Sequence, residues 1–117
     1  MRNDKQNLIV DTTFDFAIGI IEFTEFLAEN RKFNMANQLF RSGTSIGANV
    51  REAQNAQSKA DFIHKMKIAA KEADETQYWL QLCEKSKHYP DPNKFLTDTI
   101  ESIIKILSKI ISTSKAI

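Results

Sequence analysis

Apolar residues recur every three or four positions along most of this chain. No stretch alternates apolar and polar residues with period two, so the pattern predicts helices throughout. The clearest seam is Phe62, Met66, Ala69, Ala73, Thr76, Leu80 and Cys83, where steps of four and three alternate in heptad fashion. It predicts a helix over residues 59–87. Ser58 stands where an N-cap belongs, and Asp61 completes a capping-box-like pair. A further seam of Leu96, Ile100, Ile103, Leu107 and Ile110, flanked by Ile104 and Ile111, predicts a helix over 92–113. The two prolines of the 88–93 segment mark the loop before it, with Asp91 as N-cap and Pro92 as first helical residue. Lys105, Lys109 and Lys115 suit the negative C-terminal end of that helix.

The first helix is predicted over 12–29, with Asp11 as N-cap and Asp15 also near the positive end. At about 100° per residue, Phe14, Ile18 and Ile21 cluster on one side, and Phe16, Ile20, Phe23 and Leu27 on nearly the opposite side. Ala17, Thr24 and Ala28 fill the arc between, which makes the apolar arc about 220° wide, against the little over 100° of an ordinary surface helix. Such a helix is either wedged deep in the monomer or touches another subunit. Every helix of a four-helix domain has an outer face, which favours the second reading.

The second helix is predicted over 34–56, with Met35, Leu39, Ile46, Val50 and Ala53 facing inward. Gly43 and Gly47 each cost about 1 kcal/mol relative to Ala inside a helix. They share a face, and Ser42 and Ser45 add to the small surface. The pattern predicts close approach of a neighbouring helix, with Ala69 and Ala73 of the third helix opposite the glycines; a break near Ser42–Gly43 is the alternative. Arg41, Ser45, Asn49 and Glu52 share a face bordering the glycines, and Glu72, Glu75 and Trp79 recur on one face of the third helix. Antiparallel neighbours would pair Arg41 with Glu75, or Asn49 with the backbone opposite. A solvated stripe, an interhelical network and a ligand pocket are the three readings of these residues.

Four long helices with short connections give an all-α, antiparallel, up-down-up-down four-helix bundle, a single domain over 1–117. Composition agrees: of 117 residues, 42% are apolar and 26% charged, with only three Gly and two Pro to make turns. The apolar run Leu8–Val10 is too short for a signal-peptide core, and no run approaches a membrane span. A cytoplasmic location without membrane association is the expectation. The single Cys83 excludes an internal disulfide framework and a cysteine-based metal site; on its seam it reads as a small core residue. Net charge is +1, which gives no global pull toward nucleic acid. Residues 1–30, however, carry Asp4, Asp11, Asp15, Glu22, Glu25 and Glu29 against Arg2 and Lys5, and the next segment carries Arg31, Lys32, Arg41 and Arg51 against Glu52. These are either ordinary solvated faces or complementary segments that meet within one copy or between neighbours.

Motifs for chemistry are missing. Glu72 and Glu75 have no His three residues on, as a di-iron bundle requires. His64 has no Glu three residues before it, and His88 falls in a loop. There is no Gly-x-Ser-x-Gly elbow and no phosphate loop. No catalytic, cofactor-binding or metal-ligating residue is assigned, and the chain is expected not to be an enzyme.

Arg41-Ser42-Gly43-Thr44-Ser45-Ile46-Gly47-Ala48-Asn49, Glu52-Ala53, Ser58-Lys59-Ala60-Asp61-Phe62 and the 71–80 segment ending in Tyr78-Trp79-Leu80 resemble the hallmark of the bacterial four helix bundle protein family, also called the 23S rRNA intervening-sequence proteins. Phe14-Asp15-Phe16-Ala17 fits the same family's first helix. The resemblance covers nearly the whole chain. It implies an antiparallel four-helix bundle, commonly a homopentameric ring, and little established biochemistry. It makes Arg41, Ser42, Gly43, Ser45, Gly47, Asn49, Glu52, Glu72, Glu75 and Trp79 the family motif. A related branch serves diversity-generating retroelements as an accessory protein that binds nucleic acid and a reverse transcriptase; those proteins are strongly basic, unlike this one.

Two functions follow. The first is a non-enzymatic homo-oligomer acting as a structural or interaction module, scaffolding a partner protein. The second is an RNA- or DNA-binding accessory protein, with Arg31, Lys32, Arg51, Lys59, Lys65, Lys67 and Lys71 as candidate contacts.

Overall fold

The computed structural model describes residues 4–116. Met1–Asn3, the start of the segment expected to hold no leader, lie outside the described residues. Four helices follow one another: α1 (Asp4–Glu29), α2 (Phe33–Ala53), α3 (Lys59–Lys85) and α4 (Lys94–Ala116). No strand occurs among the described residues.

Several boundaries differ from those expected. α1 begins well before residue 12, because Ile9 and Thr13 extend the buried stripe of Phe16, Ile20, Phe23 and Leu27. Thr13 is tolerated there because its hydroxyl donates to the Ile9 carbonyl at 2.7 Å. Asp11 is therefore an exposed residue within the helix rather than its N-cap, and Asp15 is not at the positive end. α4 starts at Lys94 rather than Pro92, since Asn93 and not Asp91 caps it: Asn93 Oδ1 accepts from the Leu96 amide at 2.9 Å. α4 also runs on past 113 to Ala116. α2 stops at Ala53, where Gln54, Asn55 and Ala56 tighten into turns bonded three residues back. α3 stops at Lys85 as Ser86 turns extended. Its start is as expected, with Ser58 accepting from Asp61 N at 3.0 Å. α2 continues unbroken through Ser42 and Gly43.

The α1–α2 connection is a compact helix stop. Arg31 has φ 63, the left-handed region. Lys32 N donates to the Leu27 carbonyl at 2.8 Å and Arg31 N to the Ala28 carbonyl at 2.9 Å, the bonding of a Schellman motif.

Each helix packs against two others: α1 on α2 and α4, α3 on α2 and α4. Neighbours run antiparallel. Gly43 and Gly47 lie against Ile20 and Thr13, and Arg41 and Glu52 reach Glu75 and Lys65. Lys115 meets Lys67, while Gln77–Glu84 of α3 share a groove with Thr97–Glu101 of α4. The molecule measures 47 × 20 × 19 Å. Every expected seam residue of α4 is buried, as are those of α3 except the partly buried Phe62. Met35 of α2 is also partly buried.

Candidate interaction surface

The motif residues of α2 and α3 meet along one side of the bundle. Arg41 reaches across to two carboxylates, with Nη1 3.2 Å from Glu72 Oε1 and Nη2 in contact with Glu75 Oε2. Trp79 Nε1 donates to the same Glu75 oxygen at 3.1 Å. Two carboxylates thus hold one guanidinium, the indole fastens one of those carboxylates, and the arginine side chain remains 50% exposed. Beneath this layer, Thr76 Oγ1 lies 2.9 Å from Ser42 Oγ, a buried hydrogen bond across the interface. Thr76 Oγ1 also donates to the Glu72 carbonyl. Further along, Lys65 Nζ pairs with Glu52 at 3.1 Å. Ser45 and Asn49 do not cross to α3; each donates back to its own helix, to the Arg41 and Ser45 carbonyls. The expected bond from Asn49 to the backbone opposite is therefore replaced by a local one.

Gly43 and Gly47 face α1, not Ala69 and Ala73 of α3. A Cβ on Gly43 would lie 2.8 Å from Ile20 Cγ1, and one on Gly47 would lie 3.3 Å from the Thr13 carbonyl oxygen. The missing side chains let α2 settle against α1, while Ser42, one position back, turns toward α3.

Close approach of α1 and α2 leaves an apolar outer face. Phe14, Ile18 and Ile21 of α1 are 52%, 46% and 40% exposed, and Phe40 of α2 is 48% exposed. Between the helices runs a groove of about 330 Å³ floored by Ala17, Thr44, Gly47 and Ala48, with Phe14 and Arg51 on its walls. Arg51 lies over the Phe14 ring at 5.8 Å from its centroid, so its charge is engaged on this face. The groove continues as a second recess bounded by Ile21, Ala28, Ala36 and Phe40. Contiguous exposed apolar side chains of this size mark association surfaces in folded proteins.

The seven basic candidates do not gather. Arg31 and Lys32 lie in the α1–α2 connection, where Lys32 stands over the Tyr89 ring at 5.0 Å. Arg51, Lys59 and Lys65 lie at the other end of the bundle, near the α2–α3 connection, and Lys65 is paired with Glu52. Lys67 and Lys71 are exposed on α3. Lys115 of α4, whose spacing in the sequence suits only its own helix end, comes against Lys67; that contact and the repulsion of like charges hold Lys67 below the ordinary lysine value.

Among the described residues, no group of three or more His, Cys, Asp and Glu side chains is placed to hold a metal, and no helix is long and apolar enough to cross a membrane. Cys83 is fully buried, and burial pushes its thiol up to about 11, so it is held as an unreactive thiol at neutral pH.

The 23S rRNA-intervening sequence protein family matches this chain over residues 5–110. Among solved structures, a protein of unknown function from the S23 ribosomal protein family of Bacteroides thetaiotaomicron is 43% identical, with a TM-score of 0.85 over 92% of this chain and 98% of its own. No curated protein matches. A family pattern spanning nearly every helix, joined to a shared fold, establishes that the chain belongs to the 23S rRNA-intervening sequence protein family.

Proposed function

We propose that this protein acts without catalysis, as a homo-oligomeric helical bundle serving as a structural and interaction module. One observation carries the reading: the α1–α2 outer face leaves Phe14, Ile18, Ile21 and Phe40 about half exposed after the core is complete. A core needs only one stripe of α1, and the second stripe stays in water unless another chain covers it. The assembly is a closed ring of copies in the cytoplasm, five by family resemblance, and a partner protein docks on the assembled ring. The alternative, an RNA- or DNA-binding accessory protein, has less support. Its candidate cations divide between the two ends of the bundle, and several already engage Glu52 or an aromatic ring.

Size-exclusion chromatography with light scattering tests the proposal. The wild-type chain is expected to run as a multiple of its monomer mass. A variant carrying Phe14→Glu and Ile18→Glu is expected to run as a monomer with unchanged helical circular dichroism, because both positions face outward. A wild-type chain that stays monomeric at tens of micromolar sinks the reading.

A further inference from the structure

Two sets of charges are left over inside one chain. Asp11, Asp15, Glu22, Glu25 and Glu29 of α1 are all exposed, and among the described residues none of them has an ion-pair partner. The same holds for Lys67, Lys71, Lys85, Lys109 and Lys115 of α3 and α4 and for Asp74 and Glu84 of α3, while Arg41, Lys65, Lys94 and Lys105 all have carboxylate partners. Asp11 and Asp15 border the apolar stripe of Phe14 and Ile18, since Asp11 lies three residues before Phe14 and Asp15 three before Ile18. The α3–α4 groove, a recess of about 470 Å³, has Ala70, Ile104 and Ile111 on its apolar walls, Ser108 and Asp74 along it and Lys115 at its mouth. Lys67 meets Lys115 there, Lys71 follows one turn on from Lys67, and Lys109 is not on the lining. Neither Lys67 nor Lys115 forms an ion pair with a carboxylate.

We propose that the α3–α4 groove with its lysine rim receives the α1 face of a second copy of this chain, Phe14 and Ile18 entering the groove while Asp11 and Asp15 meet Lys67, Lys71 and Lys115. The inference rests on the homo-oligomer reading and names the surface that covers the apolar face. Each surface is apolar in the middle and charged at the border, and Asp11 and Asp15 of one oppose Lys67, Lys71 and Lys115 of the other in sign, while Arg51 beside the first and Asp74 in the second carry the other sign. The two sets also lie at the same level of the bundle. The α1 residues near Asp11 pack beside Arg51 and Glu52 of α2, and Glu52 reaches Lys65, next to Lys67 on α3. Copies related by rotation about an axis parallel to the helices therefore bring the acids and the lysines to the same height. Such a contact uses different patches on the two copies. It is heterologous, and it closes into a ring when the rotation divides a full turn.

Charge exchange tests it. Association of the wild type is measured by light scattering across a dilution series at low salt. It is compared with Asp11→Lys/Asp15→Lys, with Lys67→Glu/Lys71→Glu, and with all four changes in one chain. Each pair of reversals is expected to weaken association by about tenfold, the scale of two or three rim ion pairs. The fourfold variant is expected to regain wild-type association and not to mix with the wild type. Circular dichroism checks that every variant is folded. If both reversals leave association unchanged, or the fourfold variant stays dissociated while folded, the pairing is wrong and the Phe14/Ile18 variant still tests the oligomer by itself. If the lysine reversal spares association but abolishes retention of a labelled single-stranded RNA, the lysines serve a polyanion and the pairing is overturned. A monomeric wild type removes the oligomer reading, and this inference with it.

Discussion

Gly43 has no room for a methyl group. A Cβ there would sit 2.8 to 3.0 Å from three carbons of Ile20, which is itself fully buried and cannot swing away. Replacing Gly by Ala inside a helix gains about 1 kcal/mol of propensity, while overpacking a core costs about 1–3 kcal/mol. Gly43→Ala is therefore expected to lose about 1 kcal/mol, within a range of about 0–2, in a urea titration. Gly47→Ala meets only the Thr13 carbonyl and hydroxyl oxygens at 3.3 Å, and its loss should be the smaller of the two. Arg31 is the opposite case. Its left-handed backbone (φ 63) is one that glycine adopts at no steric cost, so Arg31→Gly should raise stability by about 1 kcal/mol. Single residues were only partly legible in the sequence. Spacing shows that Gly43 and Gly47 share a face, but Ser42 is one residue, about 100°, round the helix from Gly43. Which of the two meets α1 and which meets α3 depends on the hand of the bundle, and a one-dimensional pattern does not contain it.

At the level of elements, the guanidinium of Arg41 fastens α2 to α3 from outside while Ser42 and Thr76 do so from within. Exposed ion pairs contribute little in water, so a double-mutant cycle on Arg41 and Glu75 should give a coupling of about 0.5–1 kcal/mol that shrinks with added salt. A coupling indistinguishable from zero would mean that the pair sets no register. The start of α4 offers a sharper comparison. Asn93→Ala should cost about 1 kcal/mol, and Asp91→Ala much less, because Asn93 alone holds the Leu96 amide. Helix centres were legible because the seams of α3 and α4 repeat without interruption. Helix ends were not. Asp11 and Asp91 are good capping residues by type, yet the packing of Ile9 against the core and the two prolines before Asn93 decided where the helices begin.

On the scale of the whole molecule, the bundle was legible in the four seams, and the doubled apolar arc of α1 already marked the face that the core leaves uncovered. The grouping of unpaired lysines was not legible, because Lys67 and Lys115 are 48 residues apart and meet only once α3 and α4 are side by side. One buried atom offers a way to watch all of this at once. The Cys83 sulfur sits at the C-terminal end of the α3 seam with no exposed surface, and it is the only thiol in the chain. A disulfide reagent in solution reaches it only when α3 lifts from its neighbours, so the modification rate becomes a stopwatch for opening. If copies hold one another closed by the α3–α4 groove, the stopwatch slows as protein concentration rises. A chain that opens alone keeps the same time at every dilution.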